Sequence, residues 1–116
     1  MKRERLDRGR IIKRSDEFNE IFSQGRRVSS AHFVLFVTDN DSLKYGFAVS
    51  RRMGGAVKRN YAKRRLREIL KLNQDLLPED KRFILLAKPG VERQRFKHLN
   101  DEFVRLVKKV RALNLR

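Results

Sequence analysis

The residues best suited to chemistry in this sequence are the Lys and Arg side chains between Arg51 and Lys71. This stretch carries nine cations against one acid, Glu68. Cations at such density bind phosphate groups, because counterions released from a polyanion favour the contact. Gly54 and Gly55 stand at the start of the run, and without Cβ atoms they let a backbone approach a bulky ligand closely. The free amides that open the following helix can also donate to phosphate oxygens.

Helical periodicity predicts that this basic segment, roughly 57–73, carries two separate stripes. At about 100° per residue, one stripe is apolar and faces the core. Its members are Ala62, Leu66, Ile69 and Leu70. The second stripe is displaced from the core and consists of Asn60, Lys63, Arg64, Arg67 and Lys71. Like charges at these spacings repel one another in water but are favourable against phosphates along a nucleic-acid strand.

Three residues in the first turn add to this candidate interface. Lys58 and Arg59 supply further cations, although Arg59 projects near the core side of the helix. The amide of Asn60 both donates and accepts, so it can read a base edge or a 2′-hydroxyl. The alternative is that the stripe is only a solvated face of a basic protein. The one-sided composition, the amphipathic split and the paired glycines favour nucleic-acid binding.

Cleavage chemistry would need side chains that this sequence does not bring together. Acid–base cleavage uses paired histidines, and metal-dependent cleavage uses clustered carboxylates. The candidates are His32, His98, Asp39, Asp41, Asp101 and Glu102. The histidines have no sequence argument for proximity, the first two acids lie in a turn, and the last two are adjacent on a helix and point apart. We therefore predict no catalytic residue, no metal site and no bound cofactor.

The composition fits one nucleic-acid-binding domain spanning residues 1–116. The 40% hydrophobic content is enough for a single core, and the formal net charge is +16. Such a charge repels itself unless a polyanion is bound. The sequence has no cysteine, which fits a reducing cytoplasm, and no apolar run long enough to span a membrane. Residues 1–10 are expected to form a mobile basic arm.

The elements that must position these residues follow from periodicity and turn signals. We predict a helix between Ser15 and Gly25, strands 32–38 and 44–50 paired as an antiparallel hairpin, the basic helix, a strand 82–88 and a final helix from about residue 96. Phe18 and Phe22 share a face of the first helix. The order is helix, two strands, helix, strand, helix, which predicts a small α/β (α+β) two-layer sandwich.

The segment GGAVKRNYAKRRLRE (54–68) resembles the signature helix of the bacterial ribonuclease P protein component. The similarity extends in order and spacing to DEFNEIFSQGR (16–26), FVLFV (33–37), YGFAVSRR (45–52) and FILLAKPG (83–90). It covers about residues 8–112. One position departs from the pattern, because Tyr61 stands where the family usually has an Arg. A phenol stacks or donates one hydrogen bond, but it does not neutralise a phosphate.

The resemblance implies a fold and a function. The fold would be an α/β sandwich with a mixed sheet and a left-handed βαβ crossover. The chain would be the non-catalytic protein subunit of the endonuclease that removes 5′ leaders from precursor tRNA, with the active site and its Mg²⁺ on the RNA subunit. The signature helix would bind that RNA. A cleft holding Phe18, Phe22 and Phe36 would receive the single-stranded leader, with Arg51 and Arg52 as rim candidates.

Both readings of the aromatic residues stay open at this point, since each Phe could equally belong to the core. A ribosomal or other structural RNA-binding protein is the alternative function, because it would share the charge and size. The sequence leaves self-association of the protein open.

Overall fold

The computed structural model describes residues 6–112 as three α-helices around a four-stranded mixed sheet. The helices are α1 (Ser15–Gln24), α2 (Ala56–Asn73) and α3 (Phe96–Ala112). The strands are β1 (Arg26–Ser29), β2 (Phe33–Asp39), β3 (Lys44–Val49) and β4 (Lys81–Ala87). Their order across the sheet is β1-β2-β4-β3. The predicted α+β sandwich is confirmed, with each predicted element within about one residue of its place.

The predicted hairpin between β2 and β3 is wrong, because β4 lies between them. β4 pairs antiparallel with β2, with Phe36 opposite Ile84, and parallel with β3, with Tyr45 opposite Phe83. Parallel neighbours need a crossover connection, and α2 supplies it. β2 and β4 are the most apolar strands and take the two central positions, where each pairs with a strand on both edges. The unit β3–α2–β4 is therefore a βαβ crossover, and its hand stays a prediction.

Strand β1 is absent from the sequence prediction. It is only four residues long, and Val28 is its single buried side chain. It pairs antiparallel with β2 through Val28 opposite Leu35, and the amide of Ser30 donates to the carbonyl of Phe33 across the turn, at 2.8 Å. An edge strand with one inward apolar residue lacks the alternation that identifies a strand.

The main core lies between the sheet and the layer formed by α2 and α3. Alternate residues of the strands point into it, including Phe33, Leu35, Phe83 and Leu85. α3 contributes a buried stripe made of Leu99, Phe103, Leu106, Val107 and Val110. This stripe confirms the predicted final helix, and Leu113, which continues the same helical spacing in the sequence, lies outside the described residues.

α1 covers part of the opposite face of the sheet. Ile21 is fully buried there against Ile84, with Ile12 beside them. Gly25 ends the helix as predicted, and its amide donates to the carbonyl of Ile21 at 2.8 Å. This face is only partly covered, so aromatic side chains next to α1 remain accessible.

The segment before α1 is packed from residue 6 onward. The amide of Asp7 donates to the hydroxyl of Tyr45 at 3.2 Å, and Arg10 donates to the carbonyl of Leu43 at 3.3 Å. Ile11 forms a parallel bridge with Tyr45 on the open edge of β3. Residues 6–10 of the predicted arm are thus part of the folded structure, and residues 1–5 lie outside the described residues.

Candidate nucleic-acid interface

The turn before α2 explains one of the two glycines. Gly54 has a φ of 102°, a conformation that side-chain-bearing residues rarely adopt. It follows a short helical turn, Arg51–Met53, in which Met53 is buried. Gly55 is extended, and a Cβ placed there would meet nothing within 4 Å. Gly54 is therefore required by the backbone, whereas Gly55 leaves the start of α2 open.

The core-facing side of α2 matches the predicted stripe. The buried residues are Ala62, Leu66, Ile69, Leu70 and Asn73. Asn73 is satisfied there, because its amide nitrogen donates to the carbonyl of Ile69 and to the side-chain oxygen of Asn100, both at 2.7 Å. These contacts fix the rotation of the helix about its axis. The side chains on the other flank must then face outward.

The predicted cationic stripe is exposed. Exposed members of the candidate set are Lys58, Arg59, Asn60, Lys63, Arg64 and Arg67, and Lys71 is half-buried. Within residues 6–112, no Lys or Arg of α2 lies within 4.0 Å of a carboxylate. The ion pairs found there belong to other elements and involve Arg10, Arg14, Lys44, Lys81 and Arg82. The exposed cations of α2 are thus available to an external anion, and of these Lys58 also interacts electrostatically with the carboxylate of Glu92.

A groove of about 940 Å³ separates α2 from the N-terminal segment and β3. Lys63, Arg67 and Lys71 line it from the helix, and Phe18 and Phe47 contribute aromatic surface. Arg8 and Lys13 line it from the other side, so the lining holds five cations and one carboxylate, that of Glu68. The groove therefore combines positive charge with aromatic rings.

A second groove, of about 530 Å³, shares Phe47 and Lys63 with the first. Arg51 and Arg59 line it, so these two predicted residues join the same surface. Arg52 and Arg64 are exposed but line neither groove. The two grooves together follow the open edge of β3.

Phe47 is a groove residue that the sequence analysis missed. Its ring lies 5.8 Å from the guanidinium of Arg67, a distance that suits a cation–π contact. The segment KYGFAVS (44–50) contains a signal for this role, because Phe47 is an aromatic residue at an alternating position of a predicted strand. The sequence pattern does not show that α2 folds back over β3, so the contact between Phe47 and Arg67 could not be predicted from it.

The three predicted cleft aromatics form one cluster beside α1. The rings of Phe18 and Phe22 lie 6.1 Å apart, and those of Phe22 and Phe36 meet edge to face at 4.9 Å. Phe22 is 36% exposed, while Phe18 and Phe36 are half-buried against Ile21 and Ile84. These residues therefore pack on a small core and still present ring surface, and their role in leader binding stays a prediction.

The backbone at Gly46 permits this arrangement. A Cβ on Gly46 would lie 2.7 Å from the ring of Phe18, so any larger residue would displace that ring. Arg27 of β1 lies over the ring of Phe36 at 6.0 Å. Arg27 was not predicted as part of this cluster, because β1 has no strand signal in the sequence. Phe18 also lines the first groove, which connects the aromatic cluster to the cations of α2.

An ionic clamp holds α1 on the sheet. Arg82 of β4 contacts Glu17 at 3.2 Å and Glu20 at 2.7 Å, and its Nε donates to Thr38 at 3.1 Å. Burial by itself lowers the pKa of the Arg82 guanidinium, but the hydrogen bonds to Glu20 and Glu17 outweigh it and raise the pKa above its ordinary value. The clamp therefore stays charged and keeps the aromatic face of α1 in position.

Two of the catalytic candidates, Glu102 and His32, contact each other in a structural role. Glu102 of α3 accepts hydrogen bonds from the hydroxyl of Ser30 and from the amide and ring Nδ1 of His32, at 2.5, 2.7 and 2.7 Å. Burial raises the pKa of Glu102, but these bonds outweigh it and leave the pKa lowered. Within residues 6–112, no group of three His, Asp or Glu side chains is placed to hold a metal ion.

Comparison with known proteins identifies the family. Residues 6–111 match the family model described as Ribonuclease P. The chain belongs to the ribonuclease P protein family. It is 31% identical over 101 residues to the ribonuclease P protein component of Pelotomaculum thermopropionicum, covering 85% of this chain and 90% of that protein. It is 36% identical over 100 residues to that of Acidothermus cellulolyticus, covering 83% of each.

Solved ribonuclease P proteins share the fold. The protein from Staphylococcus aureus superposes with a TM-score of 0.76 at 26% identity, covering 87% of this chain and 94% of that one. The protein from Thermotoga maritima superposes with a TM-score of 0.72 at 28% identity, covering 92% and 97%. The resemblance stated from the sequence is confirmed. The ribonuclease P family is the protein component of a ribonucleoprotein endonuclease, so the chain has an RNA partner in tRNA processing.

No α-helix within residues 6–112 is both long and apolar enough to cross a membrane.

Proposed function

We propose that this chain binds the catalytic RNA of ribonuclease P through α2 and the 5′ leader of precursor tRNA through the adjoining groove. It thereby promotes leader removal in the cytoplasm. The observation that carries this proposal is the run of exposed α2 cations without carboxylate partners, continuous with a groove that also contains aromatic rings. The proposal rests on this arrangement together with membership of the family.

The physical case for RNA binding by α2 is the contrast between its cations and those of other elements. Arg82 and Lys81 are held by acids of the same chain, whereas Lys63, Arg64 and Arg67 have no such partner within residues 6–112. Unpaired cations on one helix face repel one another, and phosphates relieve that repulsion. Each neutralised phosphate also releases counterions.

The case for leader binding is the shape and chemistry of the groove. A single strand needs positive charge along its backbone and flat apolar surface for its bases. The groove supplies Lys63 and Arg67 for the first need, and Phe18 and Phe47 for the second. Phe22 and Phe36 extend the aromatic surface beyond it. The leader would therefore run along the edge of β3 towards α1.

The chain's own part in catalysis is to bind and position. Among its candidate acids and histidines, Glu102 and His32 are engaged with each other in a structural contact, and we propose that no residue of the chain acts on the scissile bond. The hydrolysis and its Mg²⁺ belong to the RNA subunit. By neutralising phosphates, the protein would reduce the amount of Mg²⁺ that the RNA needs to hold its substrate.

The test is a magnesium titration of precursor tRNA cleavage by the cognate RNA subunit, with and without the purified chain. We expect the chain to lower the Mg²⁺ concentration for half-maximal cleavage severalfold and to favour binding of precursor over mature tRNA. An Arg105→Ala, Lys109→Ala variant removes two exposed cations of α3, away from the grooves, and should behave like the wild type. An unchanged magnesium requirement with the wild-type chain would refute the proposal.

A further inference from the structure

Tyr61 is the one aromatic residue on the outward flank of α2. It lies one turn after Val57 and one turn before Arg64 and Arg65. Its side chain is 40% exposed, and Val57 is 83% exposed. Val57 and Tyr61 thus form a small apolar surface on a helix face otherwise rich in cations, and covering it with a flat apolar ligand would be favourable.

Arg65 holds Tyr61 in place. Its guanidinium carbon lies 5.2 Å from the centre of the Tyr61 ring, within the range of a cation–π contact. The same guanidinium donates to the carbonyls of Val91, at 2.8 Å, and Gln94. These carbonyls belong to the loop after β4. Arg65 therefore differs from its neighbour Arg64, because its donors are used inside the protein and it serves as a fixed support for the ring.

This support leaves part of the ring available. With the guanidinium of Arg65 over the ring, Tyr61 is still 40% exposed, so part of the ring can be reached from solvent. Lys58 and Arg64, three residues before and after Tyr61, are exposed on the same flank. A flat ring with cations on both sides matches a nucleotide, whose base stacks and whose phosphates need neutralisation.

We propose that Tyr61, backed by Arg65, is a stacking site for one unpaired base of the RNA bound by α2. This inference rests on the proposed function, because it assumes that α2 faces RNA. The ligand class is the nucleobase of a bulged, looped or terminal nucleotide, since a base inside a duplex has no free face. Lys58 and Arg64 bind the phosphates on either side. The site selects an unstacked nucleotide rather than a particular sequence.

The test separates stacking from charge through the salt dependence of binding. The probe is the cognate ribonuclease P RNA, titrated with the protein at several monovalent salt concentrations. We expect Tyr61→Ala to weaken binding at least about fivefold, the lower end of what one stacked base contributes, with an unchanged slope of log K against log salt. Tyr61→Phe keeps the ring and should bind like the wild type. Tyr61→Arg should steepen the slope by about one phosphate contact.

Intrinsic fluorescence gives a second readout. The chain has no Trp and two Tyr, of which Tyr45 is fully buried. Stacking of a base on Tyr61 should quench tyrosine emission when the RNA is added, and Tyr61→Phe should abolish that quenching while it preserves affinity. Because Tyr61 is exposed, these substitutions should leave the thermal unfolding temperature nearly unchanged.

The outcomes distinguish this inference from the proposed function. If Tyr61→Ala binds like the wild type, or if its loss of affinity comes with a shallower salt slope, the stacking site is refuted while RNA binding by α2 stands. If the wild-type chain fails to bind the RNA, or an Arg64→Ala, Arg67→Ala variant keeps the wild-type slope, the proposed function fails. Weaker binding by Tyr61→Ala at constant slope, with quenching that requires Tyr61, supports the stacking site.

Discussion

Arg64 and Arg65 are adjacent in sequence and have opposite roles in the structure. Arg65 is half-buried, and its guanidinium is bonded to backbone carbonyls of a neighbouring loop. Arg64 is exposed and has no carboxylate within 4.0 Å among the described residues. About 100° of rotation per residue separates them, and this places one against the protein and the other towards solvent. Net charge alone therefore does not tell which cations bind a partner.

The exposed cations that lack a carboxylate partner lead to a prediction about single residues. Replacing Arg64 and Arg67 by Ala should weaken binding to the ribonuclease P RNA and make the salt slope shallower by roughly two, because about two phosphate contacts are lost. Filter binding or anisotropy between low and physiological salt measures the slope. The Arg105→Ala, Lys109→Ala variant has the same net charge and should retain the wild-type slope. Equal slopes for both variants would mean that only total charge matters.

At the scale of elements, a few polar ties join neighbouring elements of the fold. Arg82 connects β4 to α1, Asn73 connects α2 to α3, and Glu102 connects α3 to the turn between β1 and β2. The first two ties fix helices that carry candidate interface residues, and the third holds α3 against the sheet. The apolar core stabilises the layers, and these polar contacts set how the layers sit on one another.

The tie at Glu102 predicts a pH dependence of stability. Its carboxylate accepts from Ser30 and His32, and its pKa is lowered in the folded state. A lowered pKa means that the stabilisation is present above the carboxyl's ordinary pKa and is lost as the pH falls through the folded-state value. Glu102→Gln should therefore cost about 1–3 kcal/mol near neutral pH, because the amide does not accept from all these donors.

Urea unfolding of the wild type and Glu102→Gln, followed from pH 7 downward, measures this difference. The gap in unfolding free energy should narrow as the pH falls below the ordinary carboxyl range. Asp101→Asn is the matched control, since Asp101 is exposed on the same helix and should show little effect at any pH. A gap that stays constant with pH would show that the charge of Glu102 contributes nothing.

At the scale of the whole molecule, the sequence predicts the individual helices and strands well, but it does not predict which distant strands pair. α2 was placed within one residue, because its apolar and cationic stripes follow helical spacing. The position of β4 between β2 and β3 does not follow from the sequence, since nothing in the turn after β2 shows that this strand pairs with residues 42 to 54 positions later. The contact of Phe47 with α2 was likewise not predicted, because it depends on how α2 folds back over β3. The cleft aromatics came from family resemblance, because their spacing alone fits a core equally well.

The charge of the whole molecule leads to a last prediction. At about 0.01 M salt the screening length is about 30 Å, comparable to the molecule's largest dimension of 35 Å, so nearly all cations repel one another. At about 0.15 M it is about 8 Å, and only neighbours interact. The net charge of +16 should therefore make the free protein more stable as salt rises, by about 4 °C in Tm for each kcal/mol of repulsion removed.

Circular dichroism melts in sodium chloride measure this change in Tm. The Arg64→Ala, Arg67→Ala variant should show a smaller rise, because it has fewer cations in the densest stripe. Salt also weakens the ion pairs of Arg82 and Arg10, which acts in the opposite direction. A Tm that falls with salt would mean that these ion pairs contribute more to stability than the self-repulsion removes. Repulsion among the α2 cations would then not be a cost that RNA binding reduces.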